Sequence, residues 1–400
     1  MNEKSILASN ASKEGAAAPR RGRDVHSEAL ALIAAGRVRS RSELGEALAM
    51  APSSISLVVQ TLVTKGWITE SGQGPSTGGR RPRILAVSGE SSYVLCADMG
   101  GRHAKIGVMG LDGSLQESRS IDFDVTTGPD EGLRVLGAAF DSLMAERPGR
   151  RLLGIGVALP GPVDVAAGCV DSPSRMPGWH RYPVGATLAA RFGTGVAVEN
   201  DANAMALGEY SERSPRSGQM IVIKAGTAIG AGFIIDGKVY HGATGAAGDI
   251  THVRTPAAGD ALCSCGNRGC LETIASGAAV VSLLRARGLD VSTTADVIRL
   301  VEDADPDATG LVRDAGRHLG GVVSAIVNFF NPTAVLLNGV LSTLEPFVAA
   351  FRSQLYEGCH PLVTKELTIA ASSLGEDAGL VGTGRLALQQ AFENPHTQMS

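Results

Sequence analysis

The chain has 400 residues, a formal net charge of −4 and 51 glycines, and it is 44% hydrophobic but only 4% aromatic. That length supports two or three domains with a large core, and the composition fits an α/β protein and excludes a fibrous or disordered one. No apolar run reaches the length of a membrane span and the start has no signal-peptide core, so the expectation is a cytoplasmic protein without a membrane partner.

Charge is unevenly spread. Of 36 Lys and Arg and 40 Asp and Glu, residues 1–90 hold 12 and 8, leaving 24 and 32 for the rest. A basic leading segment on an acidic body points to a nucleic-acid-binding module joined to something else. Residues 1–19 are Ala/Ser-rich without periodicity and read as a disordered tail. Three short helices follow: Ser27 to Ala35, Ser42 to Leu48 after the cap residues Ser40 to Glu43, and Pro52 to Lys65, where Ile55, Val58, Val59, Leu62 and Val63 repeat at helical spacing. Trp67-Ile-Thr69 and Ile84 to Val87 read as two strands across a loop. Two helices on the short Ala49-Met-Ala51 connection plus a hairpin make a winged helix-turn-helix over residues 20–88. Its third helix offers Ser53, Ser54, Ser56 and Gln60 to phosphates and base edges, and the wing carries Arg80, Arg81 and Arg83, suited to the DNA backbone or a narrow minor groove. The plainer alternative is a small protein-interaction domain with a solvated basic loop.

From Tyr93 the pattern becomes alternating strands and helices. Val94 to Asp98 ends in Gly100-Gly101, and Leu152 to Leu159 ends in Pro160-Gly161-Pro162. Val196 to Glu199 then ends in Asn200-Asp201, Met220 to Lys224 precedes a run from Gly226 to Gly232, and Ala334 to Leu337 leads to Asn338-Gly339. Helical stretches fall at Gly132–Ala145, Thr273–Arg285 and Asp314–Asn328. Polar or glycine turns at strand ends are where such sheets hold ligands, and the similar beginnings at Tyr93 and Met220 indicate two lobes with a cleft between them.

Within this body Cys263, Cys265 and Cys270 lie in eight residues, with Gly266 and Gly269 supplying turns. Three thiols need one nitrogen to complete a tetrahedral site, and His252 is the nearest candidate. Closed four-ligand sites of this kind are structural zinc sites. Unpaired thiols in a loop are the bland alternative. Cys96, Cys169 and Cys359 are scattered among apolar residues, as in a reducing compartment.

With these residues in place the chain resembles the ROK family of repressors and sugar kinases, in its DNA-binding branch, from about residue 20 to 390. The stretch Cys263-Ser-Cys265-Gly266-Asn-Arg-Gly269-Cys270-Leu-Glu272 matches the family's zinc signature. Gly242 to His252 matches its Gly-x-x-Gly-x-x-Gly-Glu-x-Gly-His motif, with Asp249 for Glu and Thr251 for Gly. The resemblance implies an α/β chain with an N-terminal winged helix-turn-helix followed by a two-lobed actin-like ATPase (ROK) fold over residues 91–390. Lobe one would take about 91–203 plus a C-terminal helix 375–390, lobe two about 204–374, with a tail at 391–400. It implies sugar-hydroxyl binding at Asn200, Asp201, Asp249, His252 and Glu272, with Asp201 a vestigial general base. The plain alternative for Asn200-Asp201 is a helix cap. Arg175-Met-Pro-Gly178-Trp179 stands where relatives carry Asn-Leu-Pro-Gly-Trp, so the usual hexose contact is altered.

The nucleotide half departs further. Asp98-Met-Gly100-Gly101-Arg102-His103 puts Arg102 where kinases have Thr, so a guanidinium is expected to intrude on phosphate, and Asn338-Gly339 replaces Gly-Gly. Gly226, Thr227, Gly230 and Gly232 keep the second phosphate loop. The expected function is a sugar-responsive DNA-binding regulator, a repressor binding double-stranded operator DNA as a homodimer or homotetramer, with a sugar or phosphosugar effector and structural Zn2+. The alternative is an ATP- and Mg2+-dependent hexose kinase carrying an added DNA-binding domain.

Overall fold

A computed structural model describes residues 25–34, 36–71, 83–88, 91–213 and 218–393. The expected tail at 1–19 and the wing residues Arg80 and Arg81 lie outside them.

The N-terminal unit comprises α1 (Val25–Ala34), α2 (Arg41–Leu48), α3 (Pro52–Thr64) and the antiparallel hairpin β1 (Ile68–Ser71) with β2 (Ile84–Val87). Ser40 starts α2, its Oγ accepting from Glu43 N at 3.2 Å, while Glu43 Oε2 accepts from Arg39 N at 2.7 Å. Ala49 closes α2 in the left-handed region (φ 53°) and Pro52 begins α3, so the two axes meet at 113°. That is helix-turn-helix geometry. Arg41 clamps Glu70 of β1 with two 2.8 Å bonds and, chiefly through them, holds that carboxylate below its usual range.

The body has two lobes on one plan. In the first, β3 (Ser92–Met99), β4 (His103–Gly110) and β5 (Leu115–Asp122) form an antiparallel meander. After α4 (Pro129–Ala145), β6 (Arg151–Leu159) pairs parallel with β3. A small hairpin, β7 (Val163–Asp164) with β8 (Cys169–Val170), and α5 (Val184–Phe192) lead to β9 (Val196–Asn200), parallel to β6. Then α6 (Asp201–Glu212) crosses to the second lobe, where β10 (Met220–Ala225), β11 (Ile229–Ile235) and β12 (Lys238–Val239) repeat the meander. Helices α7 (Glu272–Ala275), α8 (Gly277–Ala286), α9 (Thr294–Glu302) and α10 (Pro306–Phe330) precede β13 (Ala334–Asn338). Next come α11 (Glu345–Gly358), α12 (Pro361–Thr364) and β14 (Thr368–Ala371), and α13 (Ala378–Glu393) returns to the first lobe. Sheet orders β5-β4-β3-β6-β9 and β12-β11-β10-β13-β14 correspond strand for strand. The two-lobed actin-like expectation holds.

Some expected elements differ. Thr273–Arg285 is two helices, because Ser276 is extended (φ −77°, ψ 157°) and its Oγ caps α8 by accepting from Ala279 N at 3.1 Å. Asp314–Asn328 lies in the C-terminal part of a 25-residue helix, Pro306–Phe330, that Asp305 caps. The expected tail from 391 is still helix to Glu393, with Ala391 and Phe392 buried.

Both sheets turn one face toward the pair α6 and α13, which pack side by side between them. The outer faces are covered by α4 and α5 on the first lobe and by α10 and α11 on the second. The two-residue period of a strand fixes the consequence. Ile221, Ile223 and Ala225 face α10, so Met220, Val222 and Lys224 face α6; Leu95, Ala97 and Met99 face α4, so Val94 and Asp98 face inward. Sequence alternation thus sends one cation and one carboxylate to the same interior. The N-terminal unit is joined to the body, for Leu30, Val59 and Trp67 share an apolar cluster with Leu153, Leu388 and Phe392 of the body, and α1 rests on α13. Among the described residues no single helix is long and apolar enough to cross a membrane.

Candidate functional site

A cavity of about 1190 Å³ opens between the lobes, lined by the strand ends and turns of both sheets. Asn200, Asp201, Asp249, His252 and Glu272 all border it, although they come from β9, α6, the loop after β12 and α7.

Asn200 is a helix cap in the full sense. Its Oδ1 accepts from Ala202 N (3.0 Å) and Asn203 N (3.1 Å), and its Nδ2 donates to Gly161 O (2.9 Å). Asp201, at the first position of α6, is 7% exposed and pairs with Lys224 of β10. Burial works to lower the Lys224 pKa, yet Asp201 and Asp98 together outweigh it and raise it. Asp98 is pushed up to about 6, first by burial and then against the pull of Lys224, and its Oδ1 has no hydrogen-bond partner. An ammonium therefore stands with two carboxylates at the centre of the cleft. Lys224 was not among the residues singled out from sequence; the signal was a lone charge inside the apolar run Met220-Ile-Val-Ile-Lys-Ala225.

The second centre is Glu272, 3% exposed. Its Oε2 accepts from the Thr251 hydroxyl and from Ile229 N (3.3 Å), and its Oε1 lies 2.9 Å from Arg175 Nη2. Two positions that depart from the family motifs, Arg175 and Thr251, thus converge on one buried carboxylate. Asp249 is less engaged, its Oδ1 3.8 Å from His252 Nε2. Beneath these residues Glu199, 2% exposed, accepts from Asn200 N (2.8 Å) and Asn203 Nδ2 (3.0 Å) and meets His241 Nε2 at 2.7 Å. That hydrogen bond, against burial, raises the His241 pKa and ties the loop after β12 to the first lobe.

The metal candidates come together. The ligand atoms of His252, Cys263, Cys265 and Cys270 all lie within 4.8 Å of one another, with Cys265 Sγ to Cys270 Sγ at 3.8 Å and His252 Nδ1 to Cys263 Sγ at 3.5 Å. A tetrahedron with Zn–S of about 2.3 Å and Zn–N of about 2.0 Å has edges of about 3.8 and 3.5 Å, so donor set and spacing fit zinc. His252 turns Nδ1 to the thiols and leaves Nε2 on the Asp249 side, which lets one ring serve metal and cleft. Cys96, Cys169 and Cys359 are buried free thiols elsewhere.

On the nucleotide side, Gly226, Thr227 and Gly230 border the cavity, but Gly230 and Gly232 belong to strand β11 and not to a loop. Gly232 serves packing: a Cβ there would sit 2.4 Å from Ala202 O of α6. Arg102 does not intrude, being exposed and away from the cavity lining, where its charge acts on Asp124. Lys105 takes the inner place instead, pairing across to Asp377 (2.8 Å) and Glu376 (3.3 Å). Asn338 is tied to Ser372 Oγ and Gly375 O, each at 2.7 Å.

At the far end, Ser53, Ser54, Ser56 and Gln60 form the exposed face of α3, with Leu57 among them at 70% exposure and no charged residue from Pro52 to Thr64. Arg83 is exposed at the foot of the wing, 3.9 Å from Glu70.

Residues 94–390 match the ROK family. The xylose repressor of Bacillus spizizenii is 29% identical over 358 residues, covering 88% of this chain and 92% of that protein. A solved ROK family transcriptional regulator, described as a homologue of the E. coli MLC protein, superposes with a TM-score of 0.76 at 25% identity, over 94% of this chain and 97% of its own. A ROK family glucokinase from Streptomyces griseus, solved with glucose and AMPPNP, gives a TM-score of 0.64 at 27% identity, over 74% of this chain and 99% of its own.

Proposed function

This chain belongs to the ROK family, and we propose that it works as a cytoplasmic transcriptional repressor of sugar-utilisation genes, released or engaged by a sugar or phosphosugar in the interlobe cleft. One observation carries this choice over a kinase. Likeness to the regulators runs through the N-terminal helices as well as the body, 94% of the chain for the solved one, whereas the glucokinase stops at 74%.

In this reading α3 enters the major groove, with Ser53, Ser54, Ser56 and Gln60 toward bases and phosphates, while Arg80, Arg81 and Arg83 on the wing meet the backbone. A homodimer or homotetramer supplies two such units to paired half-sites. Asn200, Asp201, Asp249, His252 and Glu272 would bind the sugar hydroxyls, with Asp249 and His252 Nε2 the least engaged by other groups. His252, Cys263, Cys265 and Cys270 would hold zinc, which supplies rigidity to the loop bordering the cleft.

The route to DNA is short. Asp201 and Asn200 start α6, α6 packs on α13, and α13 carries α1. A ligand that prefers one lobe arrangement by a few kcal/mol would shift the spacing of paired recognition helices and so operator occupancy. Asp201, the general-base position in a kinase, is held here in an ion pair with Lys224.

Operator sites selected from random DNA, followed by retention assays with a sugar panel, test the reading. Specific binding that some sugar changes is the expected result. No sequence-specific binding, or turnover of ATP with a hexose at ordinary kinase rates of about 1–100 per second, would reverse it.

A further inference from the structure

One cation in the cleft has donors to spare. Arg175 stands between β8 and α5 on a loop fixed to the first lobe by buried Met176 and Trp179, whose Nε1 donates to Val125 O at 2.9 Å. From there it reaches the second lobe, with Nη2 2.9 Å from Glu272 Oε1 and Nε donating to Ser264 Oγ at 3.2 Å. These contacts use one side of the planar guanidinium. Nη1 and Nη2 donate no hydrogen bond among the described residues, Nη2 being only ion-paired to Glu272, and Arg175 borders the cavity with 42% of its side chain exposed. Glu272 Oε2 accepts from Thr251 and Ile229 N, while Oε1 is buried, has no hydrogen bond, and is covered by Arg175 as an ion pair. At this corner the cleft therefore offers donors where a bare carboxylate would offer acceptors.

The geometry points to Arg175 as the residue that selects the effector, through a planar oxygen substituent on the sugar: the carbonyl of an N-acyl group or a sugar carboxylate. This rests on the sugar-sensing reading above. Paired N–H donors fixed in one plane match the in-plane lone pairs of an sp2 oxygen better than those of a single hydroxyl. A guanidinium pinned by a buried carboxylate is preorganised, so little side-chain entropy is lost on binding. Glu272 already compensates its charge, and Asp98 and Asp249 border the same cavity. A neutral acyl carbonyl therefore ranks ahead of a carboxylate.

Calorimetric titration of the full-length protein separates the two sources. Matched sets in gluco, galacto and manno configuration would each contain the parent hexose, the N-acetylhexosamine and the hexuronate, with hexose and hexosamine also as 6-phosphates. In at least one set, the acylated or acidic member is expected to bind tenfold or more tightly than its parent. Arg175→Lys keeps the charge on Glu272 but loses the planar fork, and Arg175→Asn removes both. Each should cut that preference below threefold, whatever its effect on the parent hexose, and the Lys variant guards against loss of fold. Equal binding of parent and substituted sugars by the wild type, or an undiminished preference in Arg175→Lys, overturns the proposal. If no sugar bound a wild-type protein that still gripped its operator, the sensing reading itself would fall, and this inference with it.

Discussion

Lys224 on β10 and Asp201 at the first turn of α6 form an ion pair in the interlobe cleft, the lysine side chain 23% and the aspartate 10% exposed. The pair joins a strand of the second lobe to the helix that runs between the sheets. Removing one partner leaves the other as an uncompensated buried charge, at a cost of about 3–5 kcal/mol. Lys224→Met is therefore expected to lower unfolding stability by that order in urea denaturation. The double variant Lys224→Met with Asp201→Asn should lose much less than the sum of the single changes. Additive losses would mean that the two groups do not interact in solution.

Asp98 ought to show itself through pH. Its pKa is pushed up to about 6 by burial, from an ordinary 3.8. Between those values the native state holds a proton that the unfolded state has released, so stability falls as pH rises through the window and levels off above it. The full excursion is about 3 kcal/mol. Asp98→Asn has no such proton to lose. The stability difference between wild type and Asp98→Asn, measured by denaturation from pH 4 to 7, should shrink as pH rises; a flat difference would place the carboxylate in water.

How far sequence led depends on the distance over which each feature acts. Ser40 and Pro52 set helix starts within three or four residues, and short apolar runs ending in glycine or polar turns marked the central strands, so the winged unit and the middle of both sheets were legible. The cysteine cluster was legible for the same reason, with all four ligands in nineteen positions. Lys224, Arg175 and Thr251 were not, because each takes meaning from a residue 21 to 97 positions away: Asp201 or Glu272. Thr251 and Arg175 looked like separate departures from a motif, and only the fold brings them to the same carboxylate. Gly232 misled for a related reason, since a glycine that admits a helix and one that admits a phosphate are written alike.

Metal content follows from the donor geometry. The purified protein is expected to carry about one zinc per chain by elemental analysis, and Cys265→Ser or Cys270→Ser should lower that content strongly. Ser264, between two of the ligands, holds Arg175, and His252 borders the cleft. Loss of metal should therefore weaken sugar affinity while leaving operator affinity without sugar nearly intact. Full sugar response in a metal-free variant would detach the zinc loop from sensing.

The proposed route from cleft to DNA unit passes through the packing of α6 on α13. It is close enough that a Cβ on Gly382 would lie 1.8 Å from Ala204 O, and one on Gly208 2.1 Å from Ala378 O. Gly382→Ala must push the helices apart, and overpacking of this kind costs about 1–3 kcal/mol. The expected phenotype is a protein that still binds sugar but whose operator affinity no longer follows it. A variant with normal stability and normal sugar response would exclude this interface from the coupling.

The residues proposed to face DNA should divide into two kinds. No residue of α3 from Pro52 to Thr64 is charged, so base reading there falls to hydroxyls, the Gln60 amide and the exposed Leu57. An amide pairs best with adenine and an aliphatic side chain with a thymine methyl. Gln60→Ala is therefore expected to cost about 1–3 kcal/mol on the selected operator and relax discrimination at one base pair. Arg80→Ala with Arg81→Ala should instead weaken all sequences alike and reduce the slope of log affinity against log salt by about 2, near 0.9 for each phosphate no longer neutralised. Retention assays on the selected operator and on scrambled DNA at several salt concentrations separate the two. If Gln60→Ala weakened both DNAs equally while the arginine pair changed only the specific one, the recognition helix and the wing would have to exchange roles.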